Sequence, residues 1–70
     1  MARREHGLTR RELEVLRLLV TGQTNKEIAT VLSISVATVE VHVSHILRRL
    51  SCQTRTQAAT FAVSQGWVVV

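Results

Sequence analysis

Seventy residues carry nine Lys+Arg, eight of them Arg, against five Glu and no Asp, a formal charge of +4, which points to an anionic partner, nucleic acid ahead of a membrane surface. Such a length holds one core, and a 46% hydrophobic content excludes a disordered tail. The single cysteine excludes an internal disulfide and fits a reducing compartment, and no apolar run approaches the roughly 20 residues that span a bilayer.

Residues 1-7 read as a basic N-terminal arm and residues 8-70 as one domain. Met1 to His6 has no hydrophobic stretch behind its charges and so does not read as a secretory signal. Arg3, Arg4, Arg10 and Arg11 either reach phosphate or the minor groove, or form a solvated terminus and an exposed helix start. Helix-start signals then recur along the chain. Thr9-Arg10-Arg11-Glu12 has capping-box spacing, in which the hydroxyl accepts from an orphan N–H and the carboxylate reaches back. It predicts a helix over Thr9–Val20, closed by Gly22 at C′. Thr24-Asn25-Lys26-Glu27 repeats the pattern and predicts Asn25–Leu32. Ser35 is a plain N-cap for Val36–Leu50, and Thr54-Arg55-Thr56-Gln57 is a box with Gln that opens Arg55–Gln65, stopped by Gly66.

Each predicted helix has an apolar stripe. Leu13, Leu16 and Val20 recur in the first, widened by Val15, Leu18 and Leu19. Ile28, Val31 and Leu32 line the second, helped by the small Ala29. Val36, Val39, Val43, Ile46, Leu47 and Leu50 fall on one side of the third, and Ala58, Ala59, Phe61, Ala62 and Val63 serve the fourth. The β-branched run Val36–Val43 lowers helix propensity slightly, but its period is helical. The fold class is therefore all-α, a four-helix bundle. Its second and third helices, joined only by Ser33-Ile34-Ser35, make a helix-turn-helix.

In that motif the second helix enters the major groove of DNA. The outward arc of the third helix collects Ala37, Thr38, Val41, Ser44, His45 and Arg48, bordered by Glu40 on one side and by His42 and Arg49 on the other. Val41 suits a thymine methyl, and Ser44 and His45 can hydrogen-bond to bases. His42 and His45 are spaced i,i+3 but lack a surrounding ligand cluster, so no metal is expected. Cys52 reads as a buried apolar thiol. No enzyme is expected: there is no activated nucleophile, no Asp and no Gly-framed elbow. No cofactor is expected either. Phe61 and Trp67 are too little aromatic material for a single-strand stacking platform.

Leu8-Thr9-Arg10-Arg11-Glu12-Leu13-Glu14-Val15-Leu16 and Gly22-Gln23-Thr24-Asn25-Lys26-Glu27-Ile28-Ala29 resemble the LuxR-type (GerE-type) DNA-binding domain. Ile34-Ser35-Val36-Ala37-Thr38-Val39-Glu40-Val41-His42, Ile46-Leu47-Arg48-Arg49-Leu50, Arg55-Thr56-Gln57-Ala58-Ala59 and Gly66-Trp67-Val68 continue it, so the resemblance runs from about Leu8 to Val68. It implies a four-helix transcription regulator domain that binds duplex DNA as a homodimer through its fourth helix. By position, Thr38 would contact phosphate, with Lys26 and the backbone near Thr24 and Asn25 on the other flank. Glu40, Val41 and Ser44 would read bases, followed by His45 and Arg48. Arg48, Arg49 and Arg55 would add phosphate contacts, and Ala59, Thr60 and Val63 are the dimer candidates, since small residues permit close approach. RNA polymerase would be a further partner, no membrane is involved, and the place of action would be the bacterial cytoplasm, at the nucleoid when bound.

One departure stands out. The family usually has Lys where this chain has Glu40, and often a cation where it has Ser44. Glu40 either accepts from a cytosine N4 amine, pairs with a nearby Arg, or marks a low overall affinity. Two other readings remain open: promoter recognition like that of sigma-factor region 4, and a heterodimerising module that has lost DNA affinity.

Overall fold

Four helices form where the caps place them: α1 (Arg10–Val20), α2 (Asn25–Leu32), α3 (Val36–Leu50) and α4 (Arg55–Ser64). The computed structural model describes residues 7–68, so the arm arginines Arg3 and Arg4 lie outside the described residues. At α1, Thr9 Oγ1 accepts from the Glu12 N–H at 3.1 Å and Glu12 Oε1 accepts from the Thr9 N–H at 3.0 Å. At α2, Thr24 Oγ1 accepts from the Glu27 N–H at 3.1 Å, and the carboxylate returns at 2.8 Å. Ser35 Oγ accepts from the Thr38 N–H at 3.0 Å. The fourth cap differs from its predicted form. Thr54 Oγ1 accepts from the Gln57 N–H, but Gln57 Oε1 accepts from the Gln53 N–H rather than from that of Thr54. Thr54 is more extended, at φ −132° against −74° and −75° for the other two threonines, and this turns its N–H away from the helix.

All four helices end alike, on a 6→1 and a 5→2 backbone bond of the Schellman kind. Gln23 N–H donates to Leu18 O and Gly22 N–H to Leu19 O; Trp67 and Gly66 do the same onto Ala62 and Val63. Gly22 and Gly66 take the required left-handed conformation, at φ +84° and +75°. At α2 and α3 the same role falls to serines, Ser33 at φ 57° and Ser51 at φ 56°, whose Cβ is strained there. Ser33→Gly is expected to stabilise the domain by roughly 0.5–1 kcal/mol, the relief of strain exceeding the entropy of a freer unfolded chain. A thermal melt that falls instead of rising would contradict this.

The core is built from α1, α3 and α4 packed on one another, with α2 docked on α3. Leu16, Val15, Ile28, Val39, Ile46, Ala58 and Ala62 are completely buried. Leu8 is also fully buried, and Val68 nearly so, so both ends of the described chain are tied into the core. Leu8 precedes the Thr9 cap and shares the apolar cluster with Leu13, the placement of a hydrophobic staple. Trp67 is half-buried and stands edge-on to Phe61, with ring centroids 5.4 Å apart.

Four stripe residues are exposed where the periodicity put them inside: Val31, Val36, and, on the short-side-chained α4, Phe61 and Val63. Val31 is 57% exposed, whereas the small Ala29 is buried as its place in the stripe predicts. At about 100° per residue, Leu32, Asn25 and Ala29 lie on one side of Ile28 and Val31 on the other, so an eight-residue helix docked mainly on α3 covers only the first group. Val36 has the right angle on α3 but is 40% exposed. It is the first residue of α3, where α2 departs sharply and leaves it only partly covered.

Candidate nucleic-acid interface

Between α2 and α3 the chain turns through 108°, within the range of about 90–120° that defines a helix-turn-helix. This leaves the outer side of α3 uncovered. Ala37, Thr38, Glu40, Val41, Ser44, His45, Arg48 and Arg49 are all exposed, and Val41 is 53% exposed despite being β-branched and apolar. At about 22 Å for fifteen residues, α3 is long enough to lay several side chains along a groove. Thr38 is held at its N-terminal end, its hydroxyl 2.9 Å from Ser35 Oγ. Glu40 has no ion pair among the described residues, so pairing with a nearby arginine does not account for it in this structure.

The flank formed by the start of α2 is more committed internally than its sequence suggests. Thr24 spends its side chain and its N–H on the capping box. Asn25 is half-buried, and its Oδ1 accepts from Arg55 Nη1 at 2.8 Å. Arg55 Nη2 donates to the Gln23 carbonyl, also at 2.8 Å. Arg55 thus ties the first turn of α4 to the entry of α2 across thirty residues of sequence, a contact that no local pattern encodes. Lys26 is exposed, and the N–H groups of Asn25 and Lys26 meet no acceptor among the described residues, as expected of a helix's first turn. Arg55→Ala is expected to lower stability by roughly 1.5–3 kcal/mol through loss of charge-assisted hydrogen bonds, read as a fall in melting temperature. A melt unchanged within a degree would contradict the clamp.

The remaining predicted residues divide between inner and outer positions. His45 is exposed, but its Nδ1 stands 3.4 Å from Oε2 of the buried Glu12. Arg49 reaches back toward the N-terminus, where a Cβ added at Gly7 would meet its Nη1 at 3.4 Å. Arg11 pairs with Glu14 at 3.1 Å on the exposed side of α1. His42 is half-buried, and its Nδ1 has no hydrogen-bond partner. Among the described residues no three His, Cys, Asp or Glu side chains come together as a metal site, and no single helix is long and apolar enough to cross a membrane. Cys52 is partly buried against the core, its Sγ 3.6 Å from the Leu50 carbonyl. On α4, Ala59 is half-buried, Thr60 is exposed and Val63 is 41% exposed. With Val20 and Ser64 these three line a shallow groove away from α3.

Known proteins share this arrangement. Residues 6–62 match the model of the family "Bacterial regulatory proteins, luxR family". The transcriptional regulatory protein DegU of Brevibacillus brevis is 48% identical over 65 residues, 93% of this chain and 28% of DegU. A solved structure of the transcription factor GerE superposes with a TM-score of 0.81 at 35% identity, covering 89% of this chain and 92% of that one. Vibrio cholerae VqmA, described as a LuxR-type receptor dimer that shifts conformation in the absence of target DNA, superposes with a TM-score of 0.86 at 34% identity, covering 99% of this chain and 32% of VqmA. The chain therefore spans about a third or less of the length of the larger relatives it matches. The match covers all four helices and both halves of the helix-turn-helix, and the chain belongs to the luxR family of bacterial regulatory proteins, as a DNA-binding helix-turn-helix domain of transcription regulators.

Proposed function

We propose that this chain binds duplex DNA as a homodimer, with α3 in the major groove, and so directs a transcription regulator to its operator in the bacterial cytoplasm. The observation that carries the reading is the 108° turn, which presents an exposed α3 face bearing both apolar and polar groups. Val41, Ser44 and His45 supply base contacts on that face, with Glu40 at its edge. Thr38, Arg48 and Arg49 position the helix on phosphates. On the α2 side, Lys26 adds its charge. The free N–H groups of Asn25 and Lys26 add the positive end of the helix dipole. Thr24 and Arg55 act one step behind, by fixing that first turn.

Ala59, Thr60 and Val63 meet their symmetry mates across α4, where small side chains let two backbones approach closely. VqmA, a neighbour of known structure, is a dimer, which supports dimerisation of this chain without bearing on which face forms the contact. Two copies would then address half-sites roughly one helical turn apart.

Two variants test the division between phosphate and base contacts. Lys26→Ala is expected to weaken binding to all duplexes alike and to reduce the slope of log K against log salt by about 0.9. Val41→Arg is expected to change which sequence is preferred. Fluorescence anisotropy against a panel of duplexes reads both. A uniform loss from both variants would remove the readout role from Val41.

A further inference from the structure

Glu12 is the one charged residue buried among the described residues, at 7% exposure, and capping uses only half of its carboxylate. Oε1 accepts from the Thr9 N–H. Oε2 faces away from the cap, 3.4 Å from His45 Nδ1. His45 belongs to α3 and keeps half of its side chain exposed, on the arc that carries Val41 and Ser44. Arg48 and Arg49 line the same small polar pocket.

We propose that Glu12 is a positioning residue for base recognition, fixing the proton of His45 on Nδ1 so that Nε2 meets DNA as a hydrogen-bond acceptor. This rests on the reading that the outer face of α3 meets bases. An ionised carboxylate accepts and never donates. A lone pair on Nδ1 would therefore face a negative charge, whereas an Nδ1–H faces it favourably. The partner of one ring nitrogen settles the state of the other, so the neutral ring keeps its lone pair on Nε2. That lone pair selects the amine of adenine N6 or cytosine N4. The opposite tautomer, a donor at Nε2, would select an acceptor instead: guanine O6 or N7, thymine O4 or adenine N7. A residue of α1, with no DNA contact of its own, thereby sets what a residue of α3 reads.

Glu12→Gln tests this without removing the cap, because Gln also serves at the third position of a capping box. Its carbonyl replaces Oε1 at Thr9, and its amide turns a donor toward His45, which reverses the polarity of that contact. Imidazole ¹⁵N spectra of the chain at about pH 8, where an ordinary histidine is neutral, are expected to show His45 as Nδ1–H, and Glu12→Gln to move it toward Nε2–H. Selection from randomised duplexes is expected to change at one base pair per half-site, from A or C toward G or T, by roughly fivefold in relative preference. His45→Ala is expected to lose preference at that same pair, and thermal melts of both variants check that the fold is kept. His45 found as Nε2–H in the parent, or unmoved by Glu12→Gln, overturns the proposal even where DNA is bound. A tautomer that moves while no protein retains any duplex overturns instead the DNA-binding reading, and with it the specificity role.

Discussion

Replacing Ile46 by alanine is expected to remove a large part of the stability of the domain. Ile46 is completely buried on the inner side of α3, in the cluster shared by all four helices. Truncating such a side chain costs about 2–5 kcal/mol, the lost transfer energy plus the cavity left behind. A chain of this length has only about 4–10 kcal/mol in total. Each kcal/mol moves the midpoint by roughly 4–8 °C in a domain this small, so a fall of about 8–40 °C is expected by circular dichroism. The matched control is Val41→Ala on the opposite side of the same helix. With Val41 53% exposed, that change is expected to stay within about 0.5 kcal/mol. Equal losses from the two would mean that α3 does not divide into a packed face and a free one.

Glu40→Lys is expected to strengthen binding to random duplex roughly tenfold, the scale of one charge-assisted contact. The change replaces a carboxylate that has no ion pair among the described residues by a cation, beside a surface dense in phosphate. A newly neutralised phosphate also releases its counterion, so the slope of log K against log salt is expected to steepen by about 0.9. The preferred sequence distinguishes the two roles left for Glu40. If its carboxylate accepts from a cytosine amine, Glu40→Lys loses the preference for that base while general affinity rises. If it only repels phosphate, the preference stays and the affinity alone rises. An unchanged slope would place residue 40 beyond the reach of the DNA backbone.

Helix starts were readable because capping is local: a hydroxyl and a carboxylate three residues apart suffice, and Thr9–Glu12 and Thr24–Glu27 form both bonds in full. Helix ends were half readable. Gly22 and Gly66 announce the left-handed residue, while Ser33 and Ser51 adopt the same conformation with nothing in their type to mark it. Apolar periodicity located the inner side of α3 but misplaced Val31, Val36, Phe61 and Val63, because it counts angles along one helix and knows nothing of where the neighbouring helix stops. The exposed face of α3 followed from the pattern alone, and so did the helix-turn-helix. What did not follow are the contacts between distant residues that fix this face: Arg55 on Asn25 and Gln23, and Glu12 beside His45. Arg55 reads as one more cation for phosphate and Glu12 as a cap. Only the tertiary fold assigns each a second partner.

Selection from a randomised duplex library at about 0.15 M salt, close to physiological ionic strength, tests DNA recognition by this chain most directly. The expected product is an enriched sequence with two-fold symmetry, its half-sites roughly one helical turn apart. Failure to retain any duplex, even when the salt is lowered to strengthen phosphate contacts, would contradict recognition of DNA by α3.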